Sequence, residues 1–191
     1  MSAAIAEKLY SPEEYLALER AAEYKSEYVD GRIYAMTGAS RAHGLIAYNI
    51  AGELRNQLRD RPCEAYIADM RVKPAKARSY RYPDIAVVCG PAEFEDRQGD
   101  ALLNPTVLIE ILSPANDRGP KFAEYQRIES LREYLLVAQD EPRIERYARR
   151  DEGWLLTVAE GLETQVALDA IGCVLDLCEV YRKALEEPPM P

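Results

Sequence analysis

Apolar positions repeat with two different periods along the chain, and the change of period outlines the fold. Leu45, Ile46, Ile50, Leu54 and Leu58 recur at spacings of three and four, which places them on one face of a helix. Ser40 can cap that helix and Pro62 ends it, so the predicted span is Ala42 to Asp60. Upstream, Ser11-Pro12-Glu13-Glu14 reads as another helix start, with Ser as N-cap, Pro at the first helical position and Glu three residues after the cap. That helix runs to about Ala22. In the segment from Glu27 to Met36, Asp30-Gly31 separates two β-prone runs, the signal of a two-residue hairpin.

Three strands are predicted next, over Glu64 to Val72, Arg81 to Cys89 and Thr106 to Leu112. The last two hold unbroken apolar runs, Ile85 to Val88 and Val107 to Ile109, as in strands buried on both faces. Gly90 to Pro105 reads as an acidic loop and Ser113 to Pro120 as a turn. Phe122, Tyr125 and Ile128 have helical spacing within a helix from Lys121 to Ser130, and Glu133 to Val137 is a short buried strand. Arg143 to Ala148 and Trp154 to Ala159 form a hairpin around Asp151-Glu152-Gly153. A closing helix from Asp176 to Leu185 and a Pro-rich tail from Glu187 to Pro191 complete the chain. This order predicts one α+β domain over residues 1–191, with a mixed central sheet flanked by helices. The core covers about 41–138, a helix and hairpin precede it, and a β-rich extension covers about 142–185.

Composition narrows the function. Of 191 residues, 48% are apolar and 30% charged, a balance for a globular domain. No apolar run reaches the length of a membrane span, and Met1 to Lys8 does not read as a signal peptide, so a cytoplasmic protein without a membrane partner is expected. Cys63, Cys89, Cys173 and Cys178 form no CxxC pair and His43 is the sole histidine, which argues against a zinc site and for free thiols. The net charge of −9 argues against non-specific nucleic-acid binding over the whole surface. The charge is segregated, however: the stretch RVKPAKARSYR carries +5, leaving −14 elsewhere. Its Arg71, Lys73, Lys76, Arg78 and Arg81, with Tyr80 and Tyr82 interleaved, are candidate nucleic-acid contacts. The other reading of this stretch is a loop that balances the acids of Glu93 to Asp100.

Two acids stand out because they lie in apolar strands. Asp84 begins one strand and Glu110 sits late in another, and a carboxylate there is costly unless it is paired or binds a cation. On neighbouring strands the two can share one hard divalent cation through their oxygens. Lys121, at the start of the next helix, can point at the same place and offset developing negative charge. His43, in the first turn of its helix, can relay a proton or bind phosphate. Glu27, and with similar standing Asp69, can supply a further carboxylate.

The segments EYVDGRIYAMTGAS, the following His43, DMRV, YPDIAVVCG, LIEILSP, DRGPKFAEYQRI and LREYLLV resemble the Uma-type family of endonucleases. That family is in turn similar to the restriction-endonuclease-like PD-(D/E)XK superfamily. The resemblance implies a core of a helix, three strands, a helix and a strand, with Asp84 and Glu110 holding Mg²⁺ or Mn²⁺. It also implies a lysine two residues after the second acid, where this chain has Leu112, and the family places the lysine at Lys121 instead. A histidine at the place of His43, near the carboxylates, belongs to the same resemblance.

Two functional classes follow. One is a Mg²⁺- or Mn²⁺-dependent endonuclease acting on DNA, with Asp84 and Glu110 as metal ligands and Lys121, His43 and Glu27 around them. The other is a nuclease-fold module that binds nucleic acid or a protein without cleaving. By analogy a homodimer is expected, with Trp154, Leu155 and Val158 as one possible contact.

Overall fold

The computed structural model describes residues 8–74, 77–112 and 120–186. Helix α1 (Pro12–Ala21) starts with the expected capping box. The Ser11 hydroxyl accepts from the Glu14 amide at 3.1 Å, and the Glu14 carboxylate accepts from the Ser11 amide at 2.8 Å. Strands β1 (Ser26–Val29) and β2 (Arg32–Ala35) form the hairpin around Asp30 and Gly31. Both turn residues have positive φ, 46° and 92°, which is why Asp-Gly suits this two-residue loop. A Cβ on Gly31 would also press on Leu9 at 3.1 Å.

Helix α2 (Arg41–Leu58) buries Ile46, Ile50, Leu54 and Leu58, the predicted stripe. Burial of such side chains stabilises by about 1.5–3 kcal/mol each. The stripe packs on a six-stranded sheet of order β11-β10-β9-β8-β6-β3. Its strands are β3 (Cys63–Ile67), β6 (Ile85–Cys89), β8 (Val107–Leu112), β9 (Glu133–Ala138), β10 (Arg143–Arg150) and β11 (Gly153–Glu160). Only β8 and β9 run parallel; the other neighbours are antiparallel. Ile85, Val87, Val107, Ile109 and Ile111 face α2. The alternate residues Ala86, Val88 and Leu108 face the other way, onto Tyr125, Ile128 and Leu131 around helix α3 (Pro120–Tyr125). This two-sided burial accounts for the continuous apolar runs in β6 and β8.

Several boundaries differ from the sequence expectation. The strand predicted from Glu64 to Val72 breaks at Ala68, which has φ of 57°. Beyond it, Arg71 and Val72 form a separate two-residue strand, β4, that pairs in parallel with β7 (Ala101–Leu102). Strand β5 (Ser79–Tyr80) adds to β1, and Arg81 only bridges to Val72. Helix α3 stops at Tyr125 instead of Ser130: beyond it the Arg127 and Ile128 amides donate three residues back, to Glu124 and Tyr125 at 3.1 and 3.0 Å, and Ile128 and Leu131 are buried. The closing helix is the short α4 (Leu177–Val180), and the extension contains a second hairpin, β12 (Gln165–Leu168) with β13 (Cys173–Asp176). That hairpin buries Val166, Leu168, Cys173 and Leu175 against α2 and the sheet. The expected turn over 113–119, Lys76 and the tail over 187–191 lie outside the described residues.

The expectation of four free thiols is corrected. Cys63 and Cys89 are opposite each other in the β3–β6 register, with Cα atoms 4.0 Å apart, and are disulfide-bonded. Cys173 and Cys178 are free. In β11, Leu155 and Val158 are exposed on the sheet edge, whereas the Trp154 ring packs on Phe122 within the chain. Among the described residues no helix is long and apolar enough to cross a membrane.

Candidate active site

Strand parity brings the two acids together. Ile85 pairs with Ile109, so Asp84 and Glu110 are the next residues across the antiparallel β6–β8 pair. Glu110 falls on the α3 side of β8 and is buried there, with 4% exposure. Tyr125 donates its hydroxyl to Glu110 Oε1 at 3.0 Å, and Lys121 Nζ lies 3.1 Å from Oε2. Burial is the largest influence on this carboxyl and lifts its pKa from 4.5 to about 7. The Lys121 ammonium opposes the rise, and Asp84 and Glu27 add to it.

Asp84 is held from two directions. The Ile111 amide donates to Oδ2 at 2.7 Å, which ties the carboxylate to β8. His43 Nε2 lies 2.8 Å from Oδ1. His43 reaches it from the first turn of α2, where its own amide donates to the Ser40 hydroxyl at 3.1 Å. The bond to Asp84 raises the His43 pKa above 6.5 against the opposing effect of burial.

Lys121 touches a second acid. Its Nζ lies 3.0 Å from Glu27 Oε1, on the hairpin strand β1. Glu27 also pairs with Arg81, 2.9 Å from Oε2. Burial alone would raise the Glu27 pKa, but Lys121 and Arg81 together bring it below its ordinary value. Arg81 extends the chain of charges to α3, with Nη2 2.6 Å and Nε 3.0 Å from the two oxygens of Glu124. The position of Lys121 is fixed by its neighbour. Phe122 stacks on Tyr134 with ring centroids 5.1 Å apart and meets Tyr147 and Trp154 at 4.3 and 5.3 Å.

Five predicted site residues, Glu27, His43, Asp84, Glu110 and Lys121, therefore meet in one cluster. Asp69 does not join it: it is exposed and pairs with Lys25 at 2.6 Å. The basic stretch is largely turned inward. Arg71 is buried on Asp100, Lys73 pairs with Glu95, and Arg81 serves Glu27 and Glu124. Only Arg78 of its described cations is exposed. Tyr125 and Glu124 were not singled out from sequence. The helical spacing that made Tyr125 a core residue gave no hint that its hydroxyl would meet an acid.

The fold is thus a mixed sheet with Asp84 just before β6, Glu110 next to it on β8, and Lys121 delivered by the crossover helix α3. Residues 12–177 match the Uma2 family, described as "Putative restriction endonuclease", and the chain belongs to that family. It is similar to the uncharacterized protein sll1609 of Synechocystis sp., 36% identical over 163 residues, or 83% of this chain and 92% of that one. A second protein of that organism, slr1290, is 34% identical over 175 residues, or 90% and 91% of the two chains. A crystal structure titled as a putative nuclease belonging to DUF820, from Anabaena variabilis, superposes with a TM-score of 0.73 at 19% identity. It covers 91% of this chain and 98% of its own.

Proposed function

We propose that the chain is a Mg²⁺- or Mn²⁺-dependent endonuclease that hydrolyses phosphodiester bonds in DNA. The observation that carries this is the pairing of Asp84 with a buried Glu110 across β6 and β8, with Lys121 against the latter. Carboxylate oxygens are the donors that hard divalent cations prefer. Among the described residues no three Asp, Glu, His or Cys side chains gather as a metal cage. Two carboxylates, with the remaining positions left to water and phosphate, is the usual way Mg²⁺ is bound. Bound there, the cation would polarise the phosphate and acidify a water.

The chain's own residues have distinct tasks in this reading. Ile111 and His43 hold the two oxygens of Asp84 in a set orientation. Tyr125 does the same for Oε1 of Glu110. Lys121 brings a positive charge to where phosphate charge grows in the transition state. Because Glu27 is a second partner, the ammonium stays in the site when the Glu110 oxygens are engaged elsewhere. The imidazole of His43 can hold or pass a proton beside Asp84.

The test is incubation of the purified chain with supercoiled plasmid, single-stranded circular DNA and RNA in Mn²⁺ or Mg²⁺. Nicking that stops in EDTA and falls at least about 100-fold in Asp84→Asn and in Glu110→Gln is expected. Metal-dependent cleavage that survives the double change would overturn the assignment. A non-catalytic binding module is favoured by one observation: both acids already have partners within the protein. Such a module would bind nucleic acid equally well in EDTA and turn nothing over.

A further inference from the structure

Helix α2 presents two long faces. Ile46, Ile50, Leu54 and Leu58 pack on the sheet, and on the far side Arg41, Gly44, Tyr48, Gly52, Arg55 and Arg59 recur at spacings of three and four. All of these outer residues are exposed, and at about 100° per residue they fall within an arc of about 80°. Arg59 is the C-cap and still has helical φ and ψ of −48° and −42°, so the row keeps its direction for about 27 Å along the axis. It carries Arg41, Arg55 and Arg59 and no acid, in a chain with a net charge of −9. Glu53, the acid inside the helix, lies about 140° around from the middle of the row. The row starts two residues before His43, whose ring is 2.8 Å from Asp84.

These guanidinium groups keep their charge available. Arg41 donates from Nη2 to the Lys183 carbonyl at 3.1 Å and from Nη1 to the Glu186 carbonyl at 3.0 Å, neutral partners that orient the side chain without cancelling its charge. Among the described residues Arg55 and Arg59 form no ion pair. Arg71, Lys73 and Arg81 of the basic stretch are instead paired with acids. Tyr48 stands midway along the row and is 76% exposed. Packing does not demand the glycines one turn before and after it, because a Cβ on either would meet nothing within 4 Å. A glycine inside a helix costs about 1 kcal/mol relative to alanine. What these two positions do is leave the Tyr48 ring and hydroxyl clear of side chains along the row. Cations spaced along a convex rod, with a hydroxyl donor between them, suit the phosphates of a duplex, and such contacts hold the backbone without reading sequence. A single strand is taken by a groove with several stacking rings, whereas this face is convex and offers one ring.

We propose that the outer face of α2 docks the phosphate backbone of duplex DNA through Arg41, Tyr48, Arg55 and Arg59. The proposal rests on the nuclease reading for the identity of the polyanion. Its test is binding of a short labelled duplex, followed by fluorescence anisotropy over a series of salt concentrations, in EDTA and in the Asp84→Asn background so that the probe stays intact. Arg55→Ala with Arg59→Ala removes two phosphate contacts. It should weaken binding at least about 10-fold and lower the slope of log K against log salt by about 1.8. Arg127→Ala with Arg132→Ala removes the same charge from two exposed positions that follow α3, and should leave the slope as it is. Gly52→Glu sets an acid in the middle of the row, where open space means that no native contact is lost. It should weaken binding about 10-fold while melting no lower than its parent. Tyr48→Phe should weaken binding about 5-fold at an unchanged slope. A melting curve for each variant checks that it is folded. Equal slopes in the two double variants, no effect of Gly52→Glu, tighter binding of a single strand of the same length, or no binding of the duplex would each overturn the proposal. So would a changed sedimentation of the protein alone in Arg55→Ala with Arg59→Ala at intact DNA affinity, which would make the face a contact between copies of the chain. Cleavage assays with native Asp84 separate the two readings. Cleavage with a KM unmoved by Arg55→Ala with Arg59→Ala removes the docking face and keeps the nuclease. Duplex binding that depends on Arg55 and Arg59, without cleavage in any metal, keeps the docking face and removes the nuclease.

Discussion

Glu110→Gln should make the metal-free protein more stable, and only above acid pH. Glu110 is buried, and its pKa stands at about 7 against an ordinary 4.5. A carboxyl raised in this way contributes its full stability below pH 4.5, where folded and unfolded chains are both protonated. As pH rises, the unfolded chain ionises first, and the contribution is lost by the time pH passes 7. At about 1.4 kcal/mol per pH unit, that interval corresponds to about 3 kcal/mol. Glutamine copies the neutral acid: it can still accept from Tyr125, and Lys121 keeps Glu27 as its partner. Loss of the Lys121 contact to Glu110 offsets part of the gain, so about 1–3 kcal/mol is expected at pH 8 and close to none at pH 4. For a chain of this length the gain is about 2–10 °C in Tm. Differential scanning calorimetry of both proteins in EDTA, from pH 4 to pH 8.5, measures the difference curve. A difference that is flat with pH, or a variant no more stable than wild type at pH 8, would refute the idea that ionised Glu110 is strained by burial.

Further outcomes follow from the same cluster. Arg81→Ala should cost about 3–5 kcal/mol in urea unfolding, because it leaves Glu27 and Glu124 without their shared guanidinium, and Arg81→Lys should recover only part of it. His43 is the sole histidine, so its NMR titration is unambiguous. The midpoint should lie above 6.5 and fall when Asp84 is changed to Asn, and an unmoved midpoint would dissociate the two groups. With a raised folded pKa, the His43–Asp84 pair stabilises fully below pH 6.5 and less as pH climbs through the folded value, which makes Asp84→Asn most costly in mild acid. Tyr125→Phe should push the Glu110 pKa still higher and destabilise by about 1–3 kcal/mol at pH 8, read as a shift in the calorimetric pH profile.

Long elements with one strong signal were legible from the residues alone. The stripe from Ile46 to Leu58, the Asp30-Gly31 turn, the Ser11 box and the two apolar runs around Val87 and Leu108 each rest on one local rule. What failed was non-local. No local rule pairs Arg71 and Val72 with Ala101 and Leu102, or brings Cys63 opposite Cys89 across 26 residues. The hairpin of β12 and β13 carries only two buried side chains per strand, too few to reveal its period. In the site, a carboxylate inside an apolar strand was visible by its cost, which marked Asp84 and Glu110. The basic stretch was half legible: Arg71 on Asp100 and Lys73 on Glu95 fit the reading of a loop that balances the Glu93 to Asp100 acids, whereas no local rule brings Glu27 and Glu124 to Arg81.

The parallel pairing of β8 with β9 has a consequence for the order of events during synthesis. An antiparallel neighbour can follow through a tight turn, but a parallel one needs a crossover, and here the crossover includes α3 with Lys121. A nascent chain that ends at Leu112 already holds both halves of the β6–β8 pair, and so both acids, while lacking the lysine and the tyrosine that serve them. The segment that completes the cluster is anchored by Phe122 on Tyr134, Tyr147 and Trp154, residues made later still. Contacts this distant in sequence form slowly. The finished charge constellation is therefore a late product of the chain, and any truncation before β9 leaves an acidic pair with its counter-charge unmoored.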